Sequence, residues 1–221
     1  EVGRHRGGYS PFSCDLGFGR DLGGTATIVV RARDPRDWAK PCGKQSMIYE
    51  NHGCHYPRTT GIWQTVWMEP VAPTSLKRPR ITPCLQEKQF RIDQHLVNPQ
   101  AGWKIVAVLK DSHGDVSRAE VVTGGDFAST LILPVPDDRL RLWQPGDGQL
   151  YDIDLSLFAP GGELVDHATS YAGMRSVSID GLKVKINGKI VFQRQVLDQG
   201  YYPDGLLTAP TDEALMRDIT L

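Results

Sequence analysis

The 221-residue chain has no surplus of charge: 25 Lys and Arg stand against 26 Asp and Glu, a net of −1. No overall positive field is present to gather nucleic acid or an anionic membrane. Nor is there any apolar run near the ~20 residues that a membrane-spanning helix needs. Cys14, Cys42, Cys54 and Cys84 form no C-x-x-C pair. Zinc sites usually show two close ligand pairs separated by a loop. The densest cluster here, His52, Cys54 and His55 with Cys42 upstream, offers one and a half. It reads as loop residues and free thiols, with no metal and no cofactor. Four cysteines permit two disulfides, but a chain of this length does not need staples, so redox state and cellular compartment stay open. The opening residues, Glu1 to Arg6, resemble no signal peptide and include no initiating Met. The expectation is a mature or excised piece of something longer.

What is present favours β-structure. Hydrophobic residues make up 40% and charged residues 23%, which excludes a disordered chain. Gly and Pro are abundant, at 23 and 15, and long helical patterns are few, so the chain reads as mainly β. Thr25 to Ala32 is β-branched and alternating, and it breaks at Asp34-Pro35. Residues 35–59 carry no usable periodicity; a loop this long is usually functional or disordered. In Thr60 to Pro70, Trp63, Thr65 and Trp67 alternate with Ile62, Val66 and Met68. Both faces are largely apolar, which predicts a strand covered on both sides.

Residues 74–172 change character. Short β-patterned runs recur over Phe90 to Val97, Trp103 to Lys110, Ala119 to Thr123, Ala128 to Val135 and Tyr151 to Phe158. Hairpin loops are predicted at Asp111 to Asp115 and Ala159 to Glu163. This spacing fits an immunoglobulin-like sandwich, with Trp103 and Trp143 in its core. Beyond Gly173, Leu182 to Phe192 predicts a hairpin turning at Asn187-Gly188, because that dipeptide tolerates two positive φ angles. Thr211 is placed to cap a helix with Asp212 and Glu213 in its first turn. That helix, ending at Leu221 after about ten residues, is short and marginal by itself, and it reads as cut.

Three separated segments resemble one family, glycoside hydrolase family 2, the β-galactosidase and β-glucuronidase group. The first is Gly8-Tyr9-Ser10-Pro11-Phe12 and Asp15-Leu16 ahead of Val29-Val30-Arg31-Ala32-Arg33-Asp34. The second is Arg58-Thr59-Thr60-Gly61-Ile62-Trp63-Gln64-Thr65-Val66-Trp67. The third is Tyr171-Ala172-Gly173-Met174-Arg175 followed by Ile186-Asn187-Gly188-Lys189, continued by Val196 to Tyr201 and Ala209 to Leu215. Their order and spacing carry the resemblance over essentially the whole chain.

The resemblance implies three parts. Residues 1–73 are the C-terminal part of a jelly-roll sugar-binding domain, 74–172 an immunoglobulin-like β-sandwich, and 173–221 the first strand and helix of a (β/α)₈ catalytic barrel. It also implies a retaining glycosidase acting on terminal β-galactosides or β-glucuronides through two glutamates, the acid following an asparagine. None of Glu1, Glu50, Glu69, Glu87, Glu120, Glu163 and Glu213 follows Asn. The expectation is that the catalytic pair lies outside this chain, which is then inactive alone. The implied partners are a carbohydrate substrate and either a second copy of the chain or the remainder of the enzyme. The rival reading is a noncatalytic carbohydrate-binding or adhesion sandwich.

The candidate substrate-binding residues are Asp34, Asp198, Gln199 and Tyr201. Asp198, Gln199 and Tyr201 follow the expected strand Ile190–Val196, on the side of a barrel where active sites are built. A carboxylate and an amide there match the donors and acceptors of a sugar diol; the plain reading is loop capping and packing. Asp34 ends the jelly-roll strand at a place that, in some relatives, reaches the sugar; its plain alternative is an Asx-turn before Pro35. The 35–59 loop is read either as solvated or as reaching over the barrel mouth. Trp63 and Trp67 are read as packing residues in place of sugar platforms, and Arg58 as a structural ion-pair or hydrogen-bond donor.

Overall fold

The computed structural model describes residues 1–17, 25–36 and 39–221. They form two compact units, one of Glu69–Gln195 and one of Glu1–Met68 together with Val196–Leu221.

The Glu69–Gln195 unit is the expected sandwich. Its strands are β1 (Ser75–Leu76), β2 (Arg80–Cys84), β3 (Gln89–Val97), β4 (Ala101–Asp111), β5 (Gly114–Gly124), β6 (Ala128–Pro134), β7 (Tyr151–Phe158) and β8 (Leu164–Ala172). In one sheet β3 lies between β6 and the pair β1 and β2; the other sheet runs β5-β4-β7-β8, and every pairing is antiparallel. The core follows directly from period-two alternation. Phe90, Ile92 and Leu96 enter from β3, Ile105, Ala107 and Leu109 from β4, Leu131 and Leu133 from β6, and Ile153, Leu155 and Leu157 from β7. Each such large side chain contributes about 1.5–3 kcal/mol on burial. Gln94 occupies a core position of β3, and its Nε2 donates to the carbonyls of Lys77 and His95, both at 2.7 Å.

A side chain fixes the crossing from one sheet to the other. Tyr151 is buried at the start of β7; its hydroxyl donates to Arg139 O and accepts from Arg141 N, both at 2.7 Å. This is the tyrosine corner of immunoglobulin-type sandwiches. Beside it, Arg139 grips Asp111 through Nε (2.8 Å) and Nη2, and holds that carboxyl down at about 2.

Within the sandwich the alternating runs fall on strands, with Ala128–Val135 passing the end of β6 by one residue and Tyr151–Phe158 agreeing to the residue. Three strands of the sandwich, β1, β2 and β8, escaped the sequence reading. β8 (LVDHATSYA) is an edge strand with no fully buried position, so no hydrophobic alternation marks it.

At the end of β8 the chain turns through Gly173, whose hydrogen faces the Trp143 ring. A Cβ there would lie 2.9 Å from Trp143 Cβ. Trp143 N donates to Met174 O at 2.9 Å, and the Arg175 guanidinium sits 4.5 Å above the indole. Three further strands follow, β9 (Val177–Asp180), β10 (Lys183–Ile186) and β11 (Lys189–Ile190). The β10–β11 turn is the expected Asn187-Gly188, with φ of 51° and 75°. The Asn187 side chain also ties this small sheet to the sandwich exit. It accepts from Ser176 N and donates to Trp143 O, each at 3.0 Å. Trp103 packs against the core as expected, whereas Trp143 belongs to this clasp.

The other unit is mostly irregular. Residues 25–35 form no strand and pair with none among the described residues, and Val29 is 87% exposed. Thr60 to Met68 is likewise not a strand; Trp67 is 72% exposed, so the expected burial on both faces is corrected. The same holds for Ile190–Val196, where only Ile190 is in a strand and Phe192 and Val196 are exposed. β-Branched and aromatic residues favour extended backbone, but a strand also needs a ladder partner. The helix α1 (Asp212–Thr220) forms where expected, with Thr211 Oγ1 accepting from Ala214 N at 3.2 Å. No helix among the described residues is long and apolar enough to cross a membrane.

Candidate functional site

The irregular unit contains a cleft of about 350 Å³. Its position is set by the loop 42–59, which is pinned at several points. Tyr56 N donates to Lys44 O (2.8 Å), Ser46 N to Tyr56 O (2.6 Å), and Thr59 N to Gln45 Oε1 (3.2 Å). These bonds present Gly43 and Lys44 to the cleft.

Opposite stands the loop that carries three of the four candidate residues. Gln199 and Tyr201 line the cleft, with Leu197 and Leu207 beside them and Tyr9 contributed by the N-terminal segment. The Tyr201 ring stacks on Tyr56, centroids 3.9 Å apart and planes 7° from parallel. Burial, with Tyr9, Cys42 and Tyr56 nearby, pushes the Tyr201 phenol up, so it stays a neutral donor at physiological pH. Gly43, at φ +57°, forms a bare spot: a Cβ there would lie 3.5 Å from Tyr9 Oη and 3.9 Å from Tyr201 Oη. Two phenol oxygens therefore converge where a side chain would otherwise sit. A mostly apolar wall with a few placed polar groups is the usual make-up of a small-molecule site.

Asp198 lies in the adjoining turn, its Oδ1 accepting from Gly200 N at 2.8 Å. Asp34 is elsewhere in the same unit, in an ion-pair cluster. It accepts from Lys40 Nζ, from Arg58 Nη2 at 3.0 Å and from Thr60 Oγ1 at 3.2 Å. The Lys40 hydrogen bond is the main reason its carboxyl sits below the usual range. Arg58 is buried and also donates to Asp34 O, the structural part expected of it. Gln199 and Tyr201 are thus brought together, Asp198 is their neighbour, and Asp34 is apart.

Trp63 is half-buried; its Nε1 donates to Gly8 O at 2.7 Å and its ring meets Tyr9 edge-on. The thiols of Cys14, Cys42, Cys54 and Cys84 are free. His52 and His55 exchange backbone hydrogen bonds in a tight turn, and no group of three metal-ligating side chains gathers among the described residues. Sequence reasoning missed Tyr9, Gly43, Lys44, Leu197 and Leu207 as cleft residues, and Tyr56 as the ring stacked behind Tyr201. No local signal marks them, because the N-terminal segment, the 43–44 turn and the 197–207 loop that meet there are far apart in the chain.

The fold defines an immunoglobulin-like β-sandwich module with a second, loop-built unit carrying a tyrosine-walled cleft. The chain is similar to glycosyl hydrolases family 2, whose family model matches residues 74–175. A β-galactosidase of Thermoanaerobacter pseudethanolicus is 24% identical over 193 residues, covering 85% of this chain and 25% of that protein. A β-glucuronidase of Paenibacillus borealis is 25% identical over 205 residues, covering 86% of this chain and 32% of that protein. Among solved structures, a β-glucuronidase from Ruminococcus gnavus in complex with D-glucuronic acid superposes with a TM-score of 0.52 at 20% identity. That match covers 66% of this chain and 24% of the other. The chain therefore spans a quarter to a third of the length of these curated relatives.

Proposed function

We propose that this chain is part of a retaining glycosidase of family 2 that cleaves terminal β-galactosides or β-glucuronides. In this reading residues 1–73 are the last part of a jelly-roll sugar-binding domain, 74–172 the sandwich, and 173–221 the start of the catalytic barrel. One observation carries it. The last sandwich strand runs straight into the Gly173-Met174-Arg175 and Asn187-Gly188 clasp, which gathers the two halves of the third family-like segment around Trp143. A plain sandwich has no need of that device.

The chemistry requires two carboxyl groups ~5 Å apart, one protonating the leaving oxygen and one attacking the anomeric carbon. The cleft lining includes no carboxylate, and none of the seven glutamates follows an asparagine. The catalytic pair accordingly comes from the remainder of the enzyme, and the part assigned to Gln199 and Tyr201 is contact with the sugar. Asp198 and Asp34 act at one remove, one by shaping the loop and the other by anchoring the 35–59 segment. The test is direct: the purified chain is incubated with aryl β-galactosides and aryl β-glucuronides. No turnover above buffer is expected. Hydrolysis that disappears in Glu213→Gln would overturn the reading.

A further inference from the structure

We infer that a second, smaller cavity, beside the Asp34 ion-pair cluster, is a binding site for a single halide ion, chloride under ordinary conditions. The cavity holds about 20 Å³ and is lined at one side by Asp34, Lys40 and Arg58 and at the other by Ser46. That is too little for a sugar, a phosphate or a carboxylate, and suits one water-sized ligand. Two cations face it against a single carboxylate, which leaves a local net charge of +1.

The acceptors around the cavity are already engaged. The Asp34 carboxylate serves Lys40, Arg58 and Thr60. Three backbone carbonyls of lining residues are also taken: Asp34 O by Arg58 Nη2, Cys42 O by Gln45 N at 3.2 Å, and Met47 O by Arg36 Nη2 at 3.0 Å. Donors, by contrast, are left over. Arg58 is only 9% exposed, and its Nε has no hydrogen-bond partner among the described residues. Ser46 is equally buried; its Oγ accepts from Ile48 N at 3.1 Å, and its own proton goes to no group among the described residues. A buried N–H of a charged group left bare is costly. Water would accept from both donors, but it would bring two protons of its own to a wall whose carboxylate and three carbonyls are occupied. A metal cation would meet the guanidinium and the ammonium. A halide only accepts, and it supplies the missing negative charge.

The experiment follows the quadrupolar NMR line width of chloride as the whole chain is added at fixed ionic strength. The chain should broaden the line. Sodium bromide should reverse the broadening by competition, and sodium sulfate at the same ionic strength should not, because the larger anion does not fit. Ser46→Ala removes one of the two donors and keeps the Arg58–Asp34 pair, so chloride affinity should fall about tenfold, as for one hydrogen bond to a charged group. Arg58→Lys deletes the Nε donor and should weaken binding at least as much; Ser46→Ala carries the result if that variant loses its fold. An unbroadened line would mean that the cavity holds water only, and would overturn the inference. So would broadening that is unchanged in Ser46→Ala, or that sulfate reverses as well as bromide does, since both mark loose association with surface lysines. The glycosidase reading stands or falls separately, on hydrolysis.

Discussion

The hydroxyl of Tyr151 serves two backbone groups that strand pairing leaves over, Arg139 O and Arg141 N. Phenylalanine would fill the same space and serve neither. A buried polar group left without a partner costs about 1–3 kcal/mol, so Tyr151→Phe should lower unfolding stability by roughly that amount. Equilibrium urea unfolding measures it; an unchanged midpoint would mean that water replaces the phenol at no cost. At this scale the sequence is legible unevenly. Tyr151 heads a clean alternating run and is easily placed at a strand start. Gly43 stands in an aperiodic loop, and the two phenols it faces, Tyr9 and Tyr201, are far away in sequence. Period and composition are local quantities, and the cleft is made by contacts that are not.

Among the elements, the clasp at the sandwich exit is the most demanding in shape. Gly173→Ala would put a methyl 2.9 Å from Trp143 Cβ and 3.0 Å from Cγ. Overpacking of this kind costs about 1–3 kcal/mol. The expected outcome is a lower urea midpoint with a shifted tryptophan emission, while an unaltered midpoint would show that the indole moves aside freely. The strands that could be read in advance, β3, β4, β6 and β7, send every second residue into the core. Thr25 to Ala32 and Thr60 to Met68 have equally persuasive patterns and are not strands. The pattern reports a preference for extended backbone, but the ladder partner that would turn it into a sheet lies outside the segment itself. Helix α1 was legible because its cap is local: Thr211 and its acceptor geometry lie within one turn.

For the molecule as a whole, the buried apolar side chains among the described residues all lie between Phe90 and Met174, inside the Glu69–Gln195 unit. A chain of residues 69–195 alone should therefore fold, with a single cooperative urea transition close to the main transition of the full chain. Poor NMR dispersion or a broad transition in that shorter chain would show that the sandwich depends on the other unit. The rival view of the protein as a sandwich-only binding module gains if the shorter chain by itself binds a methyl β-glycoside. It loses if such binding requires residues 1–68 and 196–221.

The antiparallel register of the second sheet also sets an order in time. β4 and β5 meet across a tight turn, Asp111 against Gly114, whereas β4 meets β7 with Ile105 against Leu157, across everything between. Hairpins close in about 1–10 μs, but sandwiches dominated by distant pairings fold in milliseconds to seconds, because closing a long loop costs entropy before any contact repays it. The pairing of β4 with β7 is then the step that the others wait for. The Tyr151 hydroxyl ties the start of β7 to Arg139 and Arg141. Tyr151→Phe should therefore slow refolding in stopped-flow measurements where this corner forms before β4 and β7 pair, and should change only the unfolding rate where it forms after.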